Sequence, residues 1–212
     1  MSDDVLRAFG RIESWLEENA RLSWQSLQPP ASEAAIRAAE NQLGRTFPAE
    51  LTTLLMPHNG VAAEPAEIEE DEEGEVANTK FLSNQALLDL DRIVAQYRRL
   101  TDPNIGSSGQ RSYPPWPAAE PTDMMSCGLV TADPANAGAL ARRDEYEPAT
   151  PIASGPRTIA ALLEAHADAL EFGTGPLLTV GGDVPGTIHG CLVWDNPEQP
   201  FLMEPERWTP LR

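Results

Sequence analysis

Apolar residues recur at helical spacing from the start of the chain: Val5, Phe9, Ile12 and Leu16 predict an amphipathic helix over residues 3–19. Asp3 and Asp4 stand in its first turn, where the positive end of a helix favours carboxylates. Trp15, Leu22, Trp24 and Leu27 supply further anchors before Pro29-Pro30 breaks the run. Ser32 then offers a cap, with Glu33 in the first turn and Ile36, Ala39 and Leu43 on the buried face. Gly44 supplies the left-handed stop. Phe47-Pro48 launches a third helix, whose narrow apolar stripe is Leu51, Leu54 and Leu55. It cannot run comfortably past Pro57. His58-Asn59-Gly60 reads as the exit turn, because Asn and Gly tolerate left-handed angles and His58 lies near the last carbonyls.

The pattern then changes character. The stretch "AAEPAEIEEDEEGEVAN" holds eight carboxylates, and no Lys or Arg occurs from Thr46 to Thr79. Self-repulsion and the lack of apolar residues predict a mobile, solvated loop. Beyond it, "TKFL" reads as a short strand and Ser83 as a cap. Leu87, Leu88, Leu90, Ile93, Val94 and Tyr97 then predict a helix to about Leu100. Residues 101–126 are a Gly, Ser and Pro-rich connection containing Tyr113 and Trp116. "CGLVTAD" and "AGALARRD" predict two strands around the Asp133-Pro134 turn, and "ATPIAS" a shorter one. Thr158 or Pro156 opens a helix with Ile159, Leu162, Leu163, Ala167 and Leu170 inward, ending at Gly173. "TIHGCLVWD" alternates well enough to be one strand. The expected fold is α+β in a single domain: N-terminal helices packed on a mostly antiparallel sheet, with further helices. Residues 1–172 form that domain, and residues 173–212 an extension packed on it.

Charge narrows the function. A net charge of −18 and a pI near 4.4 repel phosphate backbones and anionic membrane surfaces, so neither nucleic acid nor membrane is an expected partner. A basic protein would instead be steered in. Cys127 and Cys191 sit in no CxxC or ligand-spaced pattern. The acidic N-terminus lacks an apolar signal core, and no run approaches the length of a membrane span. The expected location is cytoplasmic, with reduced thiols.

Catalytic patterns fare poorly. His58, His166 and His189 fall in three separate elements, and only His189-x-Cys191 would share a strand face, two ligands short of a zinc site. "GSSGQ" lacks the GxSxG setting, "GGDVPG" matches no phosphate loop, and the carboxylate run lacks the oxygen spacing of an EF-hand. A hydrolase built on Cys127 or His189 has nothing local to support it. No metal, cofactor or catalytic residue is expected.

The string "WQSLQPPASEAAIRAAENQLGRTFPAELTTLLMPHNGV" resembles the N-terminal signature of the SUKH superfamily, which groups yeast cell-wall assembly regulators of the Smi/Knr type with many bacterial immunity proteins. The signature is a capped helix with an interior Glu, then LG, an apolar-Pro pair, a Leu-rich helix and an Asn-Gly stop. Ser32, Ile36, Glu40, Leu43, Gly44, Phe47, Pro48, Leu51, Leu54, Leu55, Asn59 and Gly60 fill those slots. Later segments are similar to the family's strand and helix, to its tryptophan (Trp116) and to its late helix, up to about residue 172. Glu120 to Ser126 replace a Gly/Asp-rich turn, and the tail from Thr174 has no counterpart. The resemblance implies a non-catalytic protein-binding module, most often an immunity protein neutralising a cognate toxin such as a nuclease. The alternative is a regulatory scaffold with no toxin partner. An acidic inhibitor suits a basic groove, so Glu67, Glu69, Glu70, Asp71, Glu72, Glu73 and Glu75 are the expected partner-binding residues. Glu40, Leu43, Gly44, Phe47, Pro48, Asn59, Gly60 and Trp116 are expected to be mainly structural.

Overall fold

A computed structural model describes residues 2–62, 82–83, 85–101, 119–120, 128–132, 139–143, 150–151, 155–179, 182–200 and 207–211. The acidic run, Trp116 and Cys127 lie outside the described residues. Helix α1 (Ser2–Asn19) is followed by α2 (Arg21–Gln25), α3 (Glu33–Leu43) and α4 (Ala49–Leu55). Strand β1 (Ala86–Leu87) precedes α5 (Leu90–Thr101), and β2 (Ala119–Glu120), β3 (Gly128–Ala132), β4 (Ala139–Arg143) and β5 (Thr150–Pro151) follow. Helix α6 (Ile159–Phe172) leads through a 3-10 turn (Pro176–Thr179) to β6 (Val184–Ile188), β7 (Cys191–Asp195) and β8 (Thr209–Pro210).

The fold is α+β in one domain, with every described strand pairing antiparallel, in the orders β1-β2, β3-β4-β5 and β7-β6-β8. The three sheets are small, and helices supply most of the core. Val5, Phe9, Ile12 and Leu16 bury one face of α1 against α4 and α6. Ala165, Ala167 and Ala169 keep α6 slim on its buried turns. The predicted caps form. Ser32 Oγ accepts the Ala35 N–H (3.1 Å), and Thr158 Oγ1 accepts that of Ala161 (3.1 Å). Gly44 (φ 63°) and Gly173 (φ 61°) close α3 and α6 in the left-handed conformation.

Two expectations need correcting. Residues 86–100 are not one helix capped by Ser83: Ala86 and Leu87 pair with β2, and α5 begins only at Leu90. Asp89 provides the cap, its Oδ1 accepting the Arg92 N–H at 2.8 Å. Nor is "TIHGCLVWD" one strand. His189 (φ 50°) and Gly190 (φ 78°) both adopt positive φ and reverse the chain into a β6–β7 hairpin. That is the pattern of a two-residue hairpin turn whose twist suits the flanking strands. His189 is therefore exposed at the turn while Cys191 is buried in β7, so the pair shares no strand face.

The hairpin seats itself on the N-terminal helices. Ser23 Oγ accepts the Leu192 N–H (3.0 Å), and the Leu22 N–H donates to the Gly190 carbonyl (2.9 Å). Trp208 folds back over β6, where Gly186 has no side chain to obstruct the indole, and its Nε1–H donates to the Val193 carbonyl at 3.2 Å.

Candidate functional site

The described signature residues gather at a joint formed by the α3–α4 turn, the exit from α4 and the start of α5. Glu40 reaches over the end of α3, and its Oε1 accepts the Phe47 N–H at 2.7 Å. That bond fixes the α3–α4 turn and delivers Phe47 into the core. Pro48 (φ −55°) occupies the cap position of α4, one residue ahead of its first turn. Leu43 packs against the core from a half-buried position.

Asn59 does not use a left-handed backbone. Its role is a side-chain one: Oδ1 accepts the Leu90 N–H (3.0 Å), a free donor in the first turn of α5, and so helps cap the start of that helix. Gly60 (φ 71°) takes the left-handed turn, with the backbone of Leu88 and Asp89 2.5 Å from where a Cβ would stand. Arg92 locks the joint from the other side, donating to Asp89 Oδ2 at 2.8 Å and to the Val61 carbonyl at 2.6 Å. His58 turns away from α4's last carbonyls. Its Nδ1 meets the Gln28 carbonyl (2.9 Å) and its Nε2 the Glu13 carboxylate (3.0 Å), with the ring tilted against Phe9. These contacts tie α1 to the segment after Leu27, which itself bridges to Val61.

Several polar residues that the sequence did not single out are buried. Glu50 is buried in α4, and its Oε2 accepts the Ala160 N–H (3.3 Å) at the start of α6. His166 is buried in α6, with Nδ1 at 2.8 Å from the Leu162 carbonyl and Nε2 at 2.9 Å from Ser83 Oγ. Trp194 meets its ring edge-on at 5.5 Å. The Leu162 bond fixes the tautomer, leaving Nε2 to accept the Ser83 hydroxyl. This is the outline of a nucleophile–base pair, but burial lowers the imidazole pKa to about 4. A base that weak does not activate a serine near neutral pH, and the pair acts as a pin between residue 83 and α6. Burial likewise pushes the Cys191 thiol up to about 12, which leaves it protonated and inert. Asp183 is raised by burial and by the neighbouring charge of Asp195. Among the described residues, no group of three His, Cys, Asp or Glu is placed to hold a metal ion. None of the described helices is long and apolar enough to cross a membrane.

Charge gathers where α1 meets α6. Arg11 donates to Glu164 (2.8 Å), Asp168 (2.8 Å) and Glu171 (2.6 Å), three carboxylates presented one turn apart on α6. Bonds to Glu171 first and Asp168 second hold the guanidinium above its ordinary pKa. Arg7 pairs with Asp4 at 2.9 Å beside this group.

The model of the SMI1 / KNR4 family (SUKH-1) matches residues 30–134, a span that contains the whole α3–α4–α5 joint. A search of curated proteins found no match.

Proposed function

The chain belongs to the SUKH superfamily, and on that premise we propose that it is a non-catalytic protein-binding module, an immunity protein that neutralises a cognate bacterial toxin. The observation that carries the reading is the carboxylate run at Glu67, Glu69, Glu70, Asp71, Glu72, Glu73 and Glu75, inside the matched span and with no Lys or Arg between Thr46 and Thr79. A toxin that cleaves nucleic acid needs a basic groove. A run of carboxylates competes for that groove, and a net charge of −18 speeds the encounter. The signature residues serve architecture in this reading, which leaves partner contact to the acidic surface.

Co-expression with toxin-like products of the flanking genes tests the proposal. Restored growth together with a complex that survives size-exclusion chromatography is the expected result. No rescue and no complex, with housekeeping proteins recovered instead, would assign the chain to the regulatory, Smi/Knr-type branch.

A further inference from the structure

Asn59-Gly60 is the one place in the chain where glycine follows asparagine. Glycine has no Cβ to shield its own backbone nitrogen, which leaves that nitrogen open to attack the preceding side chain. The reaction needs hydroxide and water alone. The Gly60 amide gives its proton to hydroxide and its nitrogen bonds to Asn59 Cγ. The Cγ–Nδ2 bond then breaks, and the amide nitrogen leaves as ammonia with a proton from water. Water opens the resulting succinimide ring at either carbonyl, giving aspartate or its β-linked isomer, isoaspartate. Nothing is oxidised or reduced.

The fold occupies the groups this closure requires. Asn59 Oδ1 accepts the Leu90 N–H at 3.0 Å, which holds the side chain to the start of α5. The Gly60 N–H donates to the His58 carbonyl at 2.9 Å, and the Asn59 N–H to the Pro29 carbonyl at 3.0 Å. The Gly60 carbonyl accepts the Gln28 N–H at 3.0 Å, so the backbone is tied on both sides of the reacting pair. Gly60 is buried and Asn59 half-buried. Ring closure therefore proceeds from an opened joint, at a rate set by how often the joint opens.

We infer that Asn59 is a deamidation site protected by the folded joint, and that isoaspartate there bars the chain from refolding. The isomer adds one carbon to the main chain between residues 59 and 60. Gly60 has no room to take it up, since the Leu88 and Asp89 backbone stands 2.5 Å from where its Cβ would be. The free carboxylate of the isomer sits directly on the Cα, one carbon short of where Oδ1 meets the Leu90 N–H. Aspartate keeps the ordinary backbone and an acceptor for that N–H, so the linkage does the harm and the new charge does not. The inference is independent of any partner, toxin or otherwise.

The test ages the full chain in mildly alkaline buffer, folded and in guanidinium, and follows residue 59 by mass spectrometry of the tryptic peptide 46–80. Asn59 is expected to deamidate at least roughly tenfold more slowly in the folded chain, because only the open fraction reacts. The chain aged in guanidinium is then returned to buffer, and its folded and unfolded pools are separated by size-exclusion chromatography. Isoaspartate at 59 should concentrate in the unfolded pool, whereas a chain made with Asn59→Asp should refold and unfold at the parent's guanidinium midpoint. Equal deamidation rates in the two conditions would overturn the protection, as isoaspartate divided evenly between the pools would overturn the refolding block. An Asn59→Asp chain kept out of the folded pool would assign the harm to the charge and overturn the linkage account.

Discussion

Gly44 and Gly60 are the two left-handed glycines of the signature, with φ of 63° and 71°. A Cβ added at Gly44 would meet nothing within 4 Å, whereas at Gly60 it would stand 2.5 Å from the Leu88 and Asp89 backbone. The first glycine is needed for its angle alone, the second for its angle and for its missing atom. In sequence the two look alike, each a glycine at the end of an apolar stripe. Only the three-dimensional joint shows that α5 is built against the second. Gly186 is a third kind: a Cβ there would run into the buried Trp208 indole and stand 2.7 Å from the Thr209 carbonyl oxygen, so a side chain and the β8 backbone both close on it.

The largest effect is expected at Gly60→Ala, which should cost about 4 kcal/mol or prevent folding. Gly44→Ala should cost about 1 kcal/mol, the left-handed penalty alone. Equal losses in urea unfolding would refute the close-approach account of Gly60. His166 comes next. Its pKa is near 4 folded and 6.5 ordinarily, so between those values the unfolded chain binds the extra proton. Stability should hold above pH 6.5 and fall toward pH 4, by about 3 kcal/mol in full. His166→Gln should flatten that slope in urea midpoints taken across the range. Gly186→Ala should displace Trp208 at about 2 kcal/mol, less than Gly60→Ala, with tryptophan emission moving to the red. Asn59→Ala, which removes one cap acceptor from α5, should cost about 1 kcal/mol. Smallest is Arg11→Met, near 0.5 kcal/mol by melting and vanishing at high salt, because its partners are partly solvated.

Local signals carried much of the fold. Helical spacing with Ser32, Thr158, Gly44 and Gly173 located α1, α3 and α6, since a cap and a stripe are encoded within a few residues. The start of α5 was misplaced because Leu87 and Leu88 extend an apolar run. Pairing with β2, more than thirty residues on, overrides that local reading. The hairpin was missed because its turn uses His189 at a position where Asn or Asp is the usual signal. Glu40, Asn59 and Gly60 were recognisable as structural. That Glu40 bonds Phe47, Asn59 bonds Leu90 and Gly60 abuts Leu88 was not, and Glu50, Ser23 and His166 are polar residues whose burial depends on contacts distant in sequence.

In the proposed immunity reading the molecule's labour is divided: the joint at Asn59-Gly60 supplies stability, and the carboxylates at 69–73 supply association. One variant tests both halves, the replacement of Glu69, Glu70, Asp71, Glu72 and Glu73 with Ser, followed by urea unfolding and by stopped-flow association with the toxin recovered through co-expression. The predicted result is an unchanged unfolding midpoint with slower association and a flatter dependence on salt, dissociation changing little. Unchanged association at low salt, or a loss of stability comparable to Gly60→Ala, would contradict the division.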